Sequence, residues 1–382
     1  MATNIGQTPP ASGVYIDMTT GATQSGHTQF RNRIINGDMR IDQRNSGAQT
    51  TINFGNAGTY IPDRWNFQCT GYTAGQIYAQ QLTDVPSNSG HINSLRYLVN
   101  TGFTGSGYTW GFRQSIEGYN IRDFMQGTTN AVSFTLSFWT KTNVTGLHSV
   151  VILSGDFVYR YFVPFTVTNS GVWEYKSIFI NPETTQDVRF NTTNNAGMIV
   201  CIYPYQPSTP SVTTNTWIST SIINAVNVPN AVNWLSTANN YVMITGVQFE
   251  KGPKATPFEF RPYQIELQLC QRYFCKTFSQ SVKPASGAGQ LGAIIVSSGS
   301  STAVASAYVT TWYYPTIMRA TASTILTYNP STVGQDGWFD QAGANITAAI
   351  SNSCDTSCVV YNNAVTTAGR NAAIHLTVDA EL

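Results

Sequence analysis

Ser133-Phe134-Thr135-Leu136-Ser137-Phe138-Trp139-Thr140 alternates apolar and polar side chains, with Phe134, Leu136 and Phe138 on one parity. A period of two places one face of an extended chain in a core and the other toward solvent. Gly171-Val172-Trp173-Glu174-Tyr175-Lys176-Ser177-Ile178-Phe179-Ile180 repeats the pattern. Between such runs lie Asn143-Val144-Thr145-Gly146, Thr168-Asn169-Ser170-Gly171 and Asn191-Thr192-Thr193-Asn194-Asn195, clusters of residues that tolerate tight-turn dihedrals. Many short strands separated by such turns predict a two-sheet β-sandwich from about residue 30 to 262.

Composition narrows the function classes. Charged residues make up 10% of the 382 positions, and the net charge is +1, against roughly 25% charged residues in an average soluble domain. Lys and Arg are scattered, so no basic stripe presents itself to a nucleic acid. Thr, Ser, Asn, Gln and Gly must cover the surface, as fits a protein working inside a larger assembly. The start of the chain, Met1-Ala2-Thr3-Asn4-Ile5-Gly6-Gln7, lacks the basic head and apolar core of a signal peptide, and no apolar run approaches the roughly 20 residues that span a bilayer. Synthesis and retention in a cytoplasm until release, with no membrane insertion, is the expectation. The six cysteines, Cys69, Cys201, Cys270, Cys275, Cys354 and Cys358, are too thinly spread for a disulfide scaffold and read mostly as small buried apolar groups.

Two distant segments read as the ends of one domain. Arg31-Asn32-Arg33-Ile34-Ile35-Asn36-Gly37-Asp38-Met39-Arg40, with Pro62-Asp63-Arg64-Trp65, opens it. Ile244-Thr245-Gly246-Val247-Gln248-Phe249-Glu250-Lys251-Gly252, Ala255-Thr256-Pro257-Phe258-Glu259 and Cys270-Gln271-Arg272-Tyr273-Phe274 close it. Together they resemble bacteriophage tail-fibre and tail-adhesion proteins built on a carbohydrate-binding-like jelly roll, over residues 31 to 276, with a weaker echo in Asp379-Ala380-Glu381-Leu382. The resemblance implies a receptor-binding virion protein, a jelly-roll sandwich, a homotrimer, and host surface glycan or another receptor as partner. Residues 1–30, poor in large apolar groups, cannot bury enough surface to fold alone. They are expected to anchor the chain to other tail or baseplate proteins.

Residues 262–276 predict a helix, assigned to a connecting segment at 263–278. Pro262 suits a first helical position, and Tyr263, Leu267, Cys270 and Phe274 share one face. That stripe packs on its own domain or on copies of itself around a symmetry axis. Residues 279–382 predict a C-terminal β-sandwich-like tip domain, with strands in 291–296, 307–314, 323–328 and 373–378. Trp312, Tyr313, Tyr314, Trp338 and Phe339 are its candidates for receptor contact. The parity of an extended chain puts Trp312 and Tyr314 on one face and Tyr313 on the other.

Other motifs carry little. Gly287-Ala288-Gly289-Gln290-Leu291-Gly292 matches a dinucleotide fingerprint in letters, but it follows a loop and leads into a β-like run where the fingerprint needs strand, turn and helix. Asn-x-Thr triplets at Asn143, Asn191 and Asn345 are expected by accident in so Asn- and Thr-rich a chain. Cys spacing and four isolated histidines exclude a tetrahedral zinc site. The resemblance implies a structural calcium in related jelly rolls, but the matching positions here are Arg40 and Gly246, so no metal is expected. No cofactor and no catalytic residue is assigned: no nucleophile elbow stands out. Paired carboxylates for glycan cleavage would have to come from Asp38, Asp42, Asp63, Asp84, Glu117 and Asp123. The expected function is attachment of a virion to host glycan, with a structural connector and a glycan depolymerase as rivals.

Overall fold

The computed structural model describes residues 30–382 other than 56–57, 72–74, 104–106, 208–211, 220–227, 299–307 and 364–369, together with the backbone of Val14–Ile16, Thr23–Ser25 and Asp187. Val14–Ile16 and Thr23–Ser25 pair antiparallel; the rest of the expected anchoring segment, except Phe30, lies outside the described residues.

The chain from 31 to 262 folds into two facing antiparallel sheets. One runs in the order Glu174–Ile180, Phe134–Thr142, Tyr241–Lys251, Ser94–Thr101, Gln76–Leu82, Thr50–Asn53; the other is Trp217–Ser219, Tyr159–Val167, Gly146–Ser154, Ala196–Ile202, Phe112–Glu117, Asn66–Phe67, Thr59–Tyr60. Successive strands repeatedly cross between sheets, the topology of a jelly-roll sandwich. Alternation does the sorting: Phe134, Leu136 and Phe138 are fully buried, while Trp139 stands on the opposite, outward face, half-buried. The core is strongly aromatic, with Tyr97 stacked on Phe112 at 4.2 Å and Phe165 edge-on to Tyr203 at 5.3 Å.

The predicted helix is shorter than expected. It spans Tyr263–Gln271, and Phe274–Lys276 instead forms a strand beside Asn371–Asp379. Leu267 and Cys270 pack on Ile35, Ile41 and Tyr273 of the same chain. Three of the four residues assigned to a self-association face, Leu267, Cys270 and Phe274, are thus buried within the single chain, and only Tyr263 is exposed. The stripe is covered by its own chain because Arg31–Ile41 folds back over it.

Beyond the helix, the C-terminal region forms one eight-stranded sheet. Its centre is Asn371–Asp379, whose C-terminal half lies between Phe274–Lys276 and Thr324–Tyr328 and whose N-terminal half lies between Ile294–Ser297 and Gly337–Asp340. Asn345–Ser351, Ser357–Asn362 and Val309–Tyr313 extend it from Gly337–Asp340 to an edge. The inward parity supplies its core, including Trp338, Cys358, Val360, Ile374 and Leu376.

A cluster of ion pairs lies where the two regions meet. Arg64, 1% exposed, pairs with Glu381, donates to the Ser115 carbonyl at 2.6 Å and lies 3.4 Å over the Tyr273 ring. Arg44 bridges Asp379 at 2.7 Å and Glu381 at 3.1 Å, and Arg272 holds Glu117 through two bonds of 2.7 and 2.9 Å. Lys276 donates to the Gln43 and Val282 carbonyls at 2.7 Å. The carbonyl of Leu382 accepts from Tyr60 at 2.8 Å. The Asp-Ala-Glu-Leu end of the sequence is therefore inserted against the jelly roll. Such buried pairs add little net stability when complete but are costly to break.

Five of the six cysteines are buried and none forms a disulfide; Cys354 is partly exposed. They fill space as small apolar groups do.

Candidate functional site

The family-like ends build a frame. Glu259 accepts the backbone N–H groups of Phe30, Arg31 and Asn32 at 2.8 to 3.2 Å, and the Asn32 side chain bonds Val247 and Phe249. Asn36 sits at φ 58 and its amide clamps Ile41 and the Asp63 carbonyl. Gly37 lies against Val247, whose N–H it receives at 2.8 Å, and a side chain at Gly37 would overlap the Val247 carbonyl. These bonds fix where the chain leaves Tyr241–Lys251 and force residues 252–260 to fold across the outward face of that sheet.

That fold-over shapes an open cavity of about 450 Å³. Trp139 and Tyr175, cross-strand neighbours with rings 5.2 Å apart, form one wall. Phe258 and Phe260, edge to face at 4.8 Å, form the other. His91 lies behind them, with its ring 4.9 Å from Phe258 and 5.1 Å from Phe260. Ser89, Ser137 and Thr256 supply hydroxyls. Among the described residues that line it, none is Asp, Glu, Lys or Arg.

A backbone irregularity makes room for His91. The register of Phe134–Thr142 against Tyr241–Lys251 slips between Ser137 and Trp139, opposite Gly246 at φ 60. A side chain at Gly246 would strike the His91 imidazole. Glycine inside a long strand marks such a bulge. His91 is 7% exposed, its Nδ1 has no hydrogen-bond partner, and burial pushes its pKa down to about 4. At neutral pH the imidazole is uncharged and adds a polar nitrogen to an aromatic pocket. Flat aromatic faces framed by a few hydroxyls and an imidazole match the apolar ring face and hydroxyl rim of a sugar.

The residues named from the sequence as receptor contacts are split by parity. Trp338 is fully buried and Tyr314 is 8% exposed, with Trp312 packed edge-on to Tyr314 at 5.3 Å. Burial in the C-terminal core takes Trp338 and Tyr314 out of reach of a receptor. Phe339 is half-buried on the outward parity, and Tyr313 is 73% exposed on the edge strand Val309–Tyr313. None of the five lines the aromatic cavity. Little in the sequence signalled that cavity because its lining comes from five separate stretches; Gly246 inside a strand pattern was the one local signal.

The carboxylates weighed for catalysis are each engaged. Asp38 pairs with Arg40, Asp42 caps the turn at Asn45 and Gly47, and Asp63 accepts from Gln43. Glu117 holds Arg272 and Tyr273, Asp84 holds Lys141 and Trp173, and Asp123 pairs with Arg33. Burial lifts the pKa of Asp63 to about 7 and that of Asp38 to about 6. Among the described residues no three His, Cys, Asp or Glu side chains converge as a metal site would require, and no helix is long and apolar enough to cross a membrane. A second cleft of about 510 Å³ opens between the two regions, but its charged groups, Arg44, Asp379 and Glu381, are already paired with one another.

No protein-family model and no curated protein matches the chain. Among solved structures, the enzymatically active domain of bacteriophage CBA120 tailspike protein 4 aligns at 14% identity over 58% of this chain and 22% of that one, with a TM-score of 0.30. The family 11 carbohydrate-binding module of cellulosomal cellulase Lic26A-Cel5E of Clostridium thermocellum aligns at 12% identity over 55% of this chain and 98% of that one, with a TM-score of 0.26. TmCBM61, solved in complex with β-1,4-galactotriose, aligns at 9% identity over 59% and 99%, with a TM-score of 0.23. This chain spans about a fifth of the tailspike structure's length.

Proposed function

We propose that this chain is a phage tail-fibre or receptor-binding protein that attaches a virion to a host cell by binding surface glycan, and that the jelly-roll cavity walled by Trp139, Tyr175, Phe258 and Phe260 is the contact. The observation that carries the reading is the uncharged, aromatic-walled, hydroxyl-framed pocket on the outward face of a sandwich. A sugar ring stacks on either wall, with the Ser89 and Ser137 hydroxyls and the His91 ring beside it, while the Thr256 hydroxyl is held by Glu250. Several copies per particle then raise weak single-site affinity by multivalency. Residues 1–30 supply the virion attachment, and the assembly is a homotrimer that does not use Leu267, Cys270 and Phe274 as its contact.

A structural connector is the second reading, favoured by the paired charges that tie the C-terminal sheet to the jelly roll. The two separate on one experiment. Fluorescent full-length protein is incubated with a panel of bacterial strains and with mutants lacking surface polysaccharide, while the medium is assayed for new reducing ends. Attachment predicts retention on polysaccharide-bearing cells, loss on the stripped mutants and no released sugar. Retention nowhere supports the connector, equal retention on stripped cells points to a protein receptor, and reducing ends point to a depolymerase.

A further inference from the structure

The aromatic cavity does not end at Tyr175. Along Glu174–Ile180, Tyr175, Ser177 and Phe179 share the outward parity, and Tyr175 and Phe179 are each 44% exposed. Cross-strand register sets Tyr175 beside Trp139, Ser177 beside Ser137 and Phe179 beside Thr135. The floor therefore reads aromatic, hydroxyl, then aromatic beside hydroxyl. Glu174–Ile180 is the last strand of its sheet, so no neighbouring strand closes the far side. Ser137 and Thr135 are covered from the other side, and Thr135 donates to the Gly252 carbonyl at 2.8 Å, which places the 252–260 segment as a wall along the same strip.

The charges of this strand are turned away. Glu174 and Lys176 lie on the opposite parity and pair with each other at 2.6 Å, and Lys176 also donates to the Thr166 carbonyl at 2.6 Å. Phe179 lies four residue steps along the extended chain from Tyr175, a span of about 13 Å, longer than one sugar ring covers. Two exposed aromatic platforms at that spacing, with the Ser177 hydroxyl and no charge between them, suit a ligand that is long, flat-faced and neutral.

We infer that the site takes an internal stretch of a linear, uncharged polysaccharide, laid along Glu174–Ile180, with Trp139 and Tyr175 holding one sugar and Phe179 a second, more distant one. The inference rests on the glycan-binding reading above and adds chain length and charge to it.

The test is an array of purified bacterial surface polysaccharides, neutral and uronate-bearing, with their fragments of increasing length, probed with full-length wild type, Trp139→Ala, Phe179→Ala and Phe179→Trp. Neutral polymers are expected to bind, with fragments of one or two sugars about tenfold weaker or more. Phe179→Ala removes about that factor from the polymer while leaving the shortest fragments unchanged, and Phe179→Trp restores it. Trp139→Ala weakens every length. Binding that depends on Trp139 but is equal for short and long fragments, or a preference for uronate-bearing glycans, overturns the extended site and leaves the function standing. Binding indifferent to Trp139, or no binding at all, overturns both.

Discussion

Trp139 and Tyr313 are both strand aromatics on outward parities, yet their surroundings differ in kind. Tyr313 ends an edge strand and is 73% exposed, with no opposing wall among the described residues of the cavity. Trp139 is less exposed but faces Phe258 and Phe260 across about 450 Å³. Concavity distinguishes them: a ligand in the jelly-roll pocket loses water on two sides, whereas a ligand on Tyr313 loses it on one. The jelly roll has spent charge on its frame and left its pocket neutral, while the C-terminal sheet is docked by ionic pairs at one end and presents short and apolar side chains elsewhere.

The sharpest way to break the comparison is at the junction. Arg64→Ala leaves Glu381 with only Arg44 and empties the space over Tyr273, and a loss of about 3–5 kcal/mol in denaturant unfolding is expected. Unchanged stability would mean that the two regions fold independently of this contact.

Protonation separates them next. His91 and His148, both in the jelly roll and 7% and 2% exposed, have pKa values pushed down by burial to about 4 from an ordinary 6.5. The unfolded chain takes up protons first as pH falls from 6.5 toward 4, so each histidine withdraws stability across that window, on the order of 1–3 kcal/mol. Asp63 and Asp38 oppose this, because their raised values make the folded state the better proton acceptor between 3.8 and about 7 or 6. The expected outcome for His91→Gln is a stability that gains on wild type as pH drops from 6.5 to 4; a constant difference would contradict a buried, neutral His91.

Gly246→Ala is expected to cost about 1–3 kcal/mol in thermal or denaturant unfolding, because a side chain at φ 60 is strained and meets His91. It should also weaken glycan binding by displacing the imidazole. Tyr313→Ala should change stability by less than about 0.5 kcal/mol, the smallest of these effects, as fits an exposed edge residue.

Much of this architecture was legible in the residues. The run at 133–140 became a strand with Phe134, Leu136 and Phe138 inward, the run at 171–180 is a strand only from Glu174 and turns its aromatics Tyr175 and Phe179 outward, and the turn clusters at 143, 168 and 191 fall between strands. Parity put Trp312 and Tyr314 on one face and Tyr313 on the other, and the structure packs the first two against the core and leaves Tyr313 exposed. Other parts were hidden for physical reasons. Gly337–Asp340 has only four residues and Asn345–Ser351 carries two adjacent alanines, so their strand character comes from pairing within the sheet. The helix stops at Gln271 because Phe274–Lys276 is claimed by Asn371–Asp379, a partner about a hundred residues away. The pocket was invisible because Ser89, Trp139, Tyr175 and Phe258 are neighbours only after residues 252–260 fold over the sheet.

The most direct measurement of the central claim is titration of a polysaccharide-bearing strain with wild type, Trp139→Ala and Tyr313→Ala protein side by side. A pocket-centred adhesin predicts that Trp139→Ala weakens cell binding at least about tenfold with unchanged unfolding, while Tyr313→Ala binds as wild type does. Full binding by Trp139→Ala together with loss by Tyr313→Ala would contradict the account and return the receptor contact to the C-terminal sheet.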